Sequence, residues 1–312
     1  MYTIYDFVFG ITYGQAQVHC CFHDDDKASA GIGPNGEYNC FACGAKASNE
    51  EGFIANYFNI SLAKAKTIKN RLLTADKYIP TFNPLTSEQI QYLNSIGISN
   101  PIIQKYFTCQ SNGKLIYKHT WNGLYLASTW FNSDKLSTYN ASESKYKYQG
   151  TIGGMCTPYD DVIKYNNLLI CEGEKDMLTA KSMGIPNAVA KLGGAQTPLL
   201  TGINFNNKTI IICYDCDDAG REGAAKDAAV LIDKHNCKVK VIDLGLQDKE
   251  DLNDYFIKYK HTKDDFVNLI KSTPEYVIPP ELKKSKIDRF LENLTQDELI
   301  ELKNKIGGTN NE

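Results

Sequence analysis

The sequence predicts an α/β fold, with a largely parallel sheet in its second half, a mixed α+β segment in the middle and a small Cys/His-rich module at the N-terminus. Three observations predict it. Beyond Tyr165, short apolar runs alternate with helical stretches, the pattern of strands buried on both faces by crossover helices. Between Leu115 and Tyr148, apolar or aromatic residues alternate with polar ones, as in strands covered on one face. Before Gly44, cysteines and a histidine pair at the spacing of metal ligands.

The chain's 312 residues exceed a usual single domain. Breaks are expected near residues 80, 165 and 275, giving segments 1–80, 81–165, 166–275 and a tail, 276–312. A net charge of -3 and a pI near 6.0 exclude a strongly basic nucleic-acid coat, so any contact with nucleic acid must be local. Arg71, Arg221 and Arg289 are the only arginines, and this lysine-rich, Asn- and Ile-rich usage reads as the bias of an AT-rich coding genome. No window approaches the roughly 20 apolar residues of a membrane span, and the N-terminus lacks a basic stretch followed by an apolar run. The expectation is a soluble, cytoplasmic protein with no membrane partner. Cys171 and Cys213 sit inside apolar strand-like runs, which fits a reducing compartment better than a disulfide framework.

Cys20 and His23 stand two residues apart, as do Cys40 and Cys43, with 16 residues and an Asn35-Gly36 turn signal between the pairs. Two such knuckles on a hairpin supply the four ligands that tetrahedral structural zinc prefers. His19 and Cys21 flank Cys20 and are alternative ligands, while Cys20 alone mirrors the spacing of the second knuckle. Phe22, Tyr38 and Phe41 beside the site are candidates either for stacking on bases or for core packing. Next, Phe53, Ile54, Tyr57 and Phe58 recur at helical spacing within Glu51 to Leu73. Pro80 and Pro84 then mark a linker over Tyr78 to Ser87.

A helical pattern over Ser87 to Tyr106 precedes strands at Leu115 to Tyr117, Tyr125 to Phe131 and Lys145 to Tyr148. The second half reads as strand Leu168 to Cys171, helix Asp176 to Met183, strands Ala188 to Lys191 and Ile210 to Tyr214, helix Gly223 to His235 and strand Val239 to Asp243. In the tail, Lys283, Lys284 and Lys286 precede an amphipathic pattern from Ile287 to Leu302, a docking helix or one packed on its own domain.

The acids follow the strands. Glu172 stands at the carboxyl end of its strand, where α/β sheets place ligands, and Gly173 allows a tight exit. Alternation in an extended segment lets Asp215 and Asp217 face one way, and Asp251 opens a third acidic run. Together Glu172, Asp215, Asp217 and Asp251 offer enough oxygen for Mg²⁺ that keeps several waters. For Asp254 a helix cap is the better reading.

Cys20-Cys21-Phe22-His23, Cys40-Phe41-Ala42-Cys43-Gly44, Glu172-Gly173-Glu174-Lys175-Asp176, Asp215-x-Asp217 and Asp251-x-Asn253-Asp254 resemble the zinc-ribbon and TOPRIM motifs of DnaG-type and phage DNA primases. The resemblance spans nearly residues 18 to 257. It implies an N-terminal zinc ribbon and a TOPRIM domain, a Rossmann-like parallel sheet. It also implies a nucleotidyltransferase that makes short RNA primers on single-stranded DNA from ribonucleoside triphosphates with Mg²⁺ or Mn²⁺. Glu172, Asp215 and Asp217 are then the metal and catalytic centre, with Asp176 and Asp251 as further metal-site acids. Lys147 and Lys145, in a stretch resembling the family's basic segment before the TOPRIM domain, and Lys175 face nucleotide or DNA phosphates. The family often has aspartate where this chain has Asn253, and an arginine in the strand that here reads Leu126 to Phe131, with Lys114 or Lys118 as substitute. No G-x4-G-K-[ST] loop occurs, so a separate replicative helicase is the expected partner. A TOPRIM-type nuclease, or a non-catalytic DNA-binding replication protein, is the other reading of the same residues.

Overall fold

The computed structural model describes residues 2–11, 16–75 and 81–283. Met1–Tyr276 packs as one compact unit, and Val277–Glu312 is a second, of which only residues up to 283 are described. The amphipathic tail segment and the start of the linker fall outside the described residues. Among the described residues no helix is long and apolar enough to cross a membrane.

Helix α1 (Ile4–Phe9) leads into a four-stranded antiparallel sheet of β1 (Ala16–Val18), β2 (Ala30–Ile32), β3 (Tyr38–Cys40) and β4 (Lys46–Ala47), in chain order. The sheet is too small to bury a core alone and rests on two helices. These are α2 (Glu50–Phe58), capped by Asn49 accepting from the Gly52 amide, and α3 (Leu62–Thr74), capped by Ser61. Asn59, in the left-handed region at φ 52°, ends α2. The aromatic residues of α2 interlock with the sheet, Phe53 against Tyr38 at 4.9 Å and Phe22 at 5.7 Å between ring centroids.

The middle sheet runs β5 (Phe82–Asn83), β6 (Phe107–Gln110), β7 (Leu115–Trp121), β8 (Leu124–Phe131) and β9 (Tyr146–Gln149), all antiparallel. Asn122 and Gly123, both at positive φ, form the two-residue turn whose twist matches the β7–β8 hairpin. The helical pattern before it is two helices, α4 (Ser87–Ser95) and α5 (Asn100–Tyr106). Gly97 at φ 87° divides them, and a side chain there would collide with Ile257.

The third sheet has the order β10 (Cys156–Thr157), β12 (Ala188–Lys191), β11 (Asn167–Cys171), β13 (Thr209–Cys213), β14 (Lys238–Val241). It is parallel except for β10, which begins ahead of residue 165; a two-residue strand is too short to show alternation in sequence. Helices α6 (Tyr159–Lys164), α7 (Glu174–Ser182), α8 (Asp218–His235), α9 (Leu252–Ile257) and α10 (Lys263–Ser272) complete it. Alternate residues of its strands enter different cores. Leu168, Ile170, Ile210 and Ile212 pack with Ala224, Ala228 and Leu231 of α8, and Leu169, Cys171 and Cys213 with Met177, Leu252 and Phe266. The chain goes from β11 to β12 on one side, then crosses to β13 on the other. This reversal opens a crevice at the carboxyl ends of β11 and β13.

Candidate active site

Two clusters of metal-ligand side chains occur among the described residues, Cys20–His23–Cys40–Cys43 and Asp176–Asp215–Asp251. In the first, Cys20 Sγ lies 3.8 Å from Cys43 Sγ, and Cys40 Sγ 4.0 Å from His23 Nδ1. Zinc–sulfur bonds of about 2.3 Å at tetrahedral angles require sulfurs about 3.8 Å apart, so the four residues fit zinc. Donors converge on two of the sulfurs: the amide of Phe22 donates to Cys20 and that of Cys43 to Cys40, each at 3.4 Å, and the Tyr38 hydroxyl donates to Cys20 at 3.0 Å, although burial still pushes the Cys20 thiol up. Burial opposes ionisation of Cys40, but donors from Cys43, Ser29 and Ala42 outweigh it and bring the thiol down to about 6.

The flanking candidates separate clearly. His19 bonds through its ring to the Asp25 carbonyl at 2.8 Å, and Cys21 packs against the aromatic core. Asp25, unnoticed in the sequence, accepts from the Cys20 amide and the Ser29 hydroxyl and stands 3.6 Å from His23 Nε2, the orienting place behind a ligating imidazole. Of the aromatic stacking candidates, Tyr38 is 1% exposed and Phe22 half-buried against Phe53, whereas Phe41 is 81% exposed. Tyr38 is therefore a core residue that also holds Cys20.

In the second cluster each aspartate comes from a different element: Asp176 from the first turn of α7, Asp215 from the segment after β13 and Asp251 from the N-cap of α9. One carboxylate oxygen from each lies within 4.8 Å of the others. Burial, then the charges of Glu172, Asp251 and Asp217, push the Asp215 carboxyl up to about 7. Burial and Asp251 likewise hold Asp176 well above the usual carboxylate range. Lys175 relieves part of this crowding with a 2.6 Å ion pair to Asp251. Three crowded, half-desolvated carboxylates at the switch point of a parallel sheet fit a hard divalent cation.

The other acids stand differently. Glu172 is outside the triad and accepts from the amides of Ala195 at 3.1 Å and Asp215 at 3.3 Å, so both of its oxygens are held. Asp217 is not in the aspartate cluster with Asp215; it caps α8, accepting from Gly220 at 2.7 Å. The close turn needs Gly220, where a Cβ would lie 2.2 Å from the Asp215 carbonyl oxygen. Asp251 and Asp254 form a capping box on α9. Asn253 turns its amide away from the carboxylates, donating to the Ile96 carbonyl at 2.7 Å and Thr179 Oγ1 at 2.8 Å, while its backbone N–H donates to Asp176.

A cavity of about 210 Å³ opens on this cluster, lined also by Lys145, Tyr148 and Glu174. Lys147 lies over the Trp130 ring at 5.0 Å and is not among the lining residues. Lys114 pairs with Glu143 and Lys118 lies over Phe82, so neither lines it. Two supports escaped sequence reading because their partners are distant in the chain. Buried Lys191 bonds to Asp227 at 2.7 Å and to the carbonyl of Ala195, the residue whose amide holds Glu172. His119, kept neutral by burial with its pKa down to about 3, lies between Thr157 at 3.0 Å and Thr129 at 2.7 Å. Thr129 donates to Glu174, so the imidazole carries its proton on Nε2.

A family model described as Toprim-like matches residues 169–256, the segment that carries all three aspartates and Glu172. The DNA primase of Halalkalibacterium halodurans is 34% identical over 128 residues, 40% of this chain and 21% of that protein. The chain is similar to the DnaG-type DNA primases. The DNA primase of Legionella pneumophila is 23% identical over 279 residues, 68% of this chain and 48% of its own length. Both matches thus span less than half of the relative. Among solved structures, the Aquifex aeolicus primase (zinc binding and RNA polymerase domains) superposes with a TM-score of 0.50 and 20% identity. The match covers 93% of this chain and 83% of that one, so the likeness in fold extends across the ribbon, the middle sheet and the Toprim-like sheet.

Proposed function

We propose that the chain is a DNA-directed RNA polymerase of the primase type, joining ribonucleotides into short primers on a single-stranded DNA template during replication. The observation that carries this reading is the convergence of Asp176, Asp215 and Asp251 at the switch-point crevice, in the same compact unit as the Cys/His tetrad. Zinc belongs to the tetrad as a structural ion. Magnesium or manganese, held by Asp176, Asp215 and Asp251, would lower the pKa of the attacking hydroxyl and neutralise charge on the phosphates.

The residues of the chain divide the remaining work. A primer 3′-oxygen bonds to the α-phosphorus of the incoming nucleotide, the bridge to the β-phosphate breaks and pyrophosphate leaves. Glu172, fixed by two amides, takes the proton of the hydroxyl. Lys145 and Lys175 on the cavity wall offset phosphate charge, with Lys147 behind them. Asp217 holds the turn that presents Asp215 and adds to the negative field there. The ribbon binds template, which lowers the entropic cost of bringing two free nucleotides together. A replicative helicase delivers the template strand.

The test is synthesis of labelled RNA on single-stranded DNA with Mg²⁺, comparing wild type with Asp215→Ala and Cys40→Ala. Short RNA from wild type, lost in Asp215→Ala and reduced in Cys40→Ala with release of about one zinc per chain, is the expected result. Cleavage of DNA that depends on Asp215, with no RNA made even when a helicase is present, would replace this reading with a nuclease.

A further inference from the structure

Helix α3 has no part in either metal cluster, yet its composition is unusual for a protein of net charge -3. Its residues Leu62–Thr74 include Lys64, Lys66, Lys69 and Arg71 and no acid. Lys69 is neutralised by Glu50 and Glu51 of the neighbouring helix. Lys64 and Arg71 have no ion-pair or hydrogen-bond partner for their charged groups among the described residues, although Arg71 is half-buried. At i, i+3 and i+7, Lys64, Thr67 and Arg71 share one face of the helix.

That face forms one wall of a cleft of about 350 Å³, whose opposite wall is Thr151, Ile152 and Gly153. Among the described residues no main-chain carbonyl accepts from the amides of these three residues. A cleft of this size falls within the range of roughly 300–1,000 Å³ typical of ligand sites. Lys64 and Arg71 bring two positive charges to its lining, Thr67, Asn70, Thr74 and Thr151 add polar side chains, and no carboxylate lines it. Its complement is an anion with several acceptor oxygens.

The cleft also adjoins the candidate active site. A Cβ at Gly153 would lie 3.4 Å from Thr197, which belongs to the loop of Gly194 and Ala195 that touches Glu172. Lys64 and Arg71 are about 10 Å apart along the helix axis, a separation that lets the two cations meet different phosphates of an extended strand. We propose that this cleft binds the phosphodiester backbone of single-stranded DNA, guiding template between the ribbon and the carboxylate centre. The assignment of DNA as the ligand rests on the primase reading above.

The test measures affinity of the full chain for a labelled single-stranded oligonucleotide by fluorescence anisotropy across a salt series. Wild type is compared with Lys64→Gln, Arg71→Lys and the double variant Lys64→Gln/Arg71→Gln, with zinc content and thermal melting as checks on folding. Loss of two phosphate contacts lowers the slope of log K against log salt by about 1.4, at about 0.7 per contact. The exposed Lys64→Gln alone lowers it by about 0.7, and Arg71→Lys, which keeps the charge, largely preserves it. An unchanged slope in a folded double variant overturns the cleft while leaving primer synthesis by wild type intact. A raised KM for nucleoside triphosphate with an unchanged DNA slope also overturns it, in favour of a free-nucleotide site. Absence of both DNA binding and primer synthesis in wild type sinks the primase reading and this proposal together.

Discussion

Replacing Asn253 with aspartate is expected to destabilise this chain instead of adding a metal ligand. Asn253 is 8% exposed, and its Nδ2 donates at 2.7 Å to the Ile96 carbonyl and at 2.8 Å to Thr179 Oγ1. An ionised carboxylate has no donor to offer, so it faces a carbonyl oxygen without a proton between them. Thr179 cannot easily reverse its role, because its hydroxyl already donates to the Lys175 carbonyl at 2.9 Å. The unsatisfied carbonyl costs about 1–3 kcal/mol, and desolvating the new charge raises the total to about 3 kcal/mol or more. At about 2–4 °C per kcal/mol for a unit of this size, the melting temperature of Asn253→Asp falls by about 6–12 °C near neutral pH. A protonated carboxyl can donate to Ile96, which raises the folded pKa of the new group above its unfolded value of about 3.9. The loss is then absent below about pH 4, grows as pH rises and is complete above the folded pKa. Circular-dichroism melts of the metal-free protein at pH 5 and pH 8 read this directly. Equal melting temperatures for variant and wild type at pH 8 would refute the hydrogen-bond argument.

Two further perturbations test the site and its support. Asp215 has a folded pKa raised to about 7, so it destabilises the metal-free protein progressively as pH climbs from about 4 to about 7. Asp215→Asn should flatten that decline and remove the stabilisation that added Mg²⁺ gives wild type; an unaltered pH dependence in thermal melts would count against the crowding. Lys191→Met leaves Asp227 charged and buried without its main partner, at a cost of about 3–5 kcal/mol, while Lys191→Met/Asp227→Leu should recover part of it. Chemical denaturation of the two variants decides this, and equal stability of the single and double variants would contradict it.

The two knuckles were legible in sequence because ligand spacing along a hairpin is local, and the parallel sheet because its strands are apolar throughout. Asp215 and Asp251 stand at strand or helix boundaries that sequence patterns mark well. That Asp217 caps α8 and stays out of the aspartate cluster was not legible, since strand alternation does not show where the following helix begins. Nor could Asn253 be read correctly from its position in a motif, because the carbonyl it meets lies 157 residues away. Lys191 and His119 were missed for the same reason, since each acts through a partner brought close by folding, whereas the partners of Asp25 are local and it was missed because it belongs to no recurring spacing. Between Lys145 and Lys147, sequence favoured the latter, whereas Lys145 lines the cavity and Lys147 covers Trp130.

Trp121 stands among rings from three parts of the chain: Phe7 at 5.3 Å, Tyr57 at 5.9 Å and Phe58 at 6.1 Å from the N-terminal module, and Tyr159 at 4.6 Å from the start of α6. Asn204 adds a polar tie to the hydroxyls of Tyr57 and Tyr159. The N-terminal module is thus not a cassette that recombination could trade between relatives unaltered. Any exchange must bring along the rings that meet Trp121 and Tyr159, or leave the recipient with a bare aromatic face and a strong tendency to aggregate.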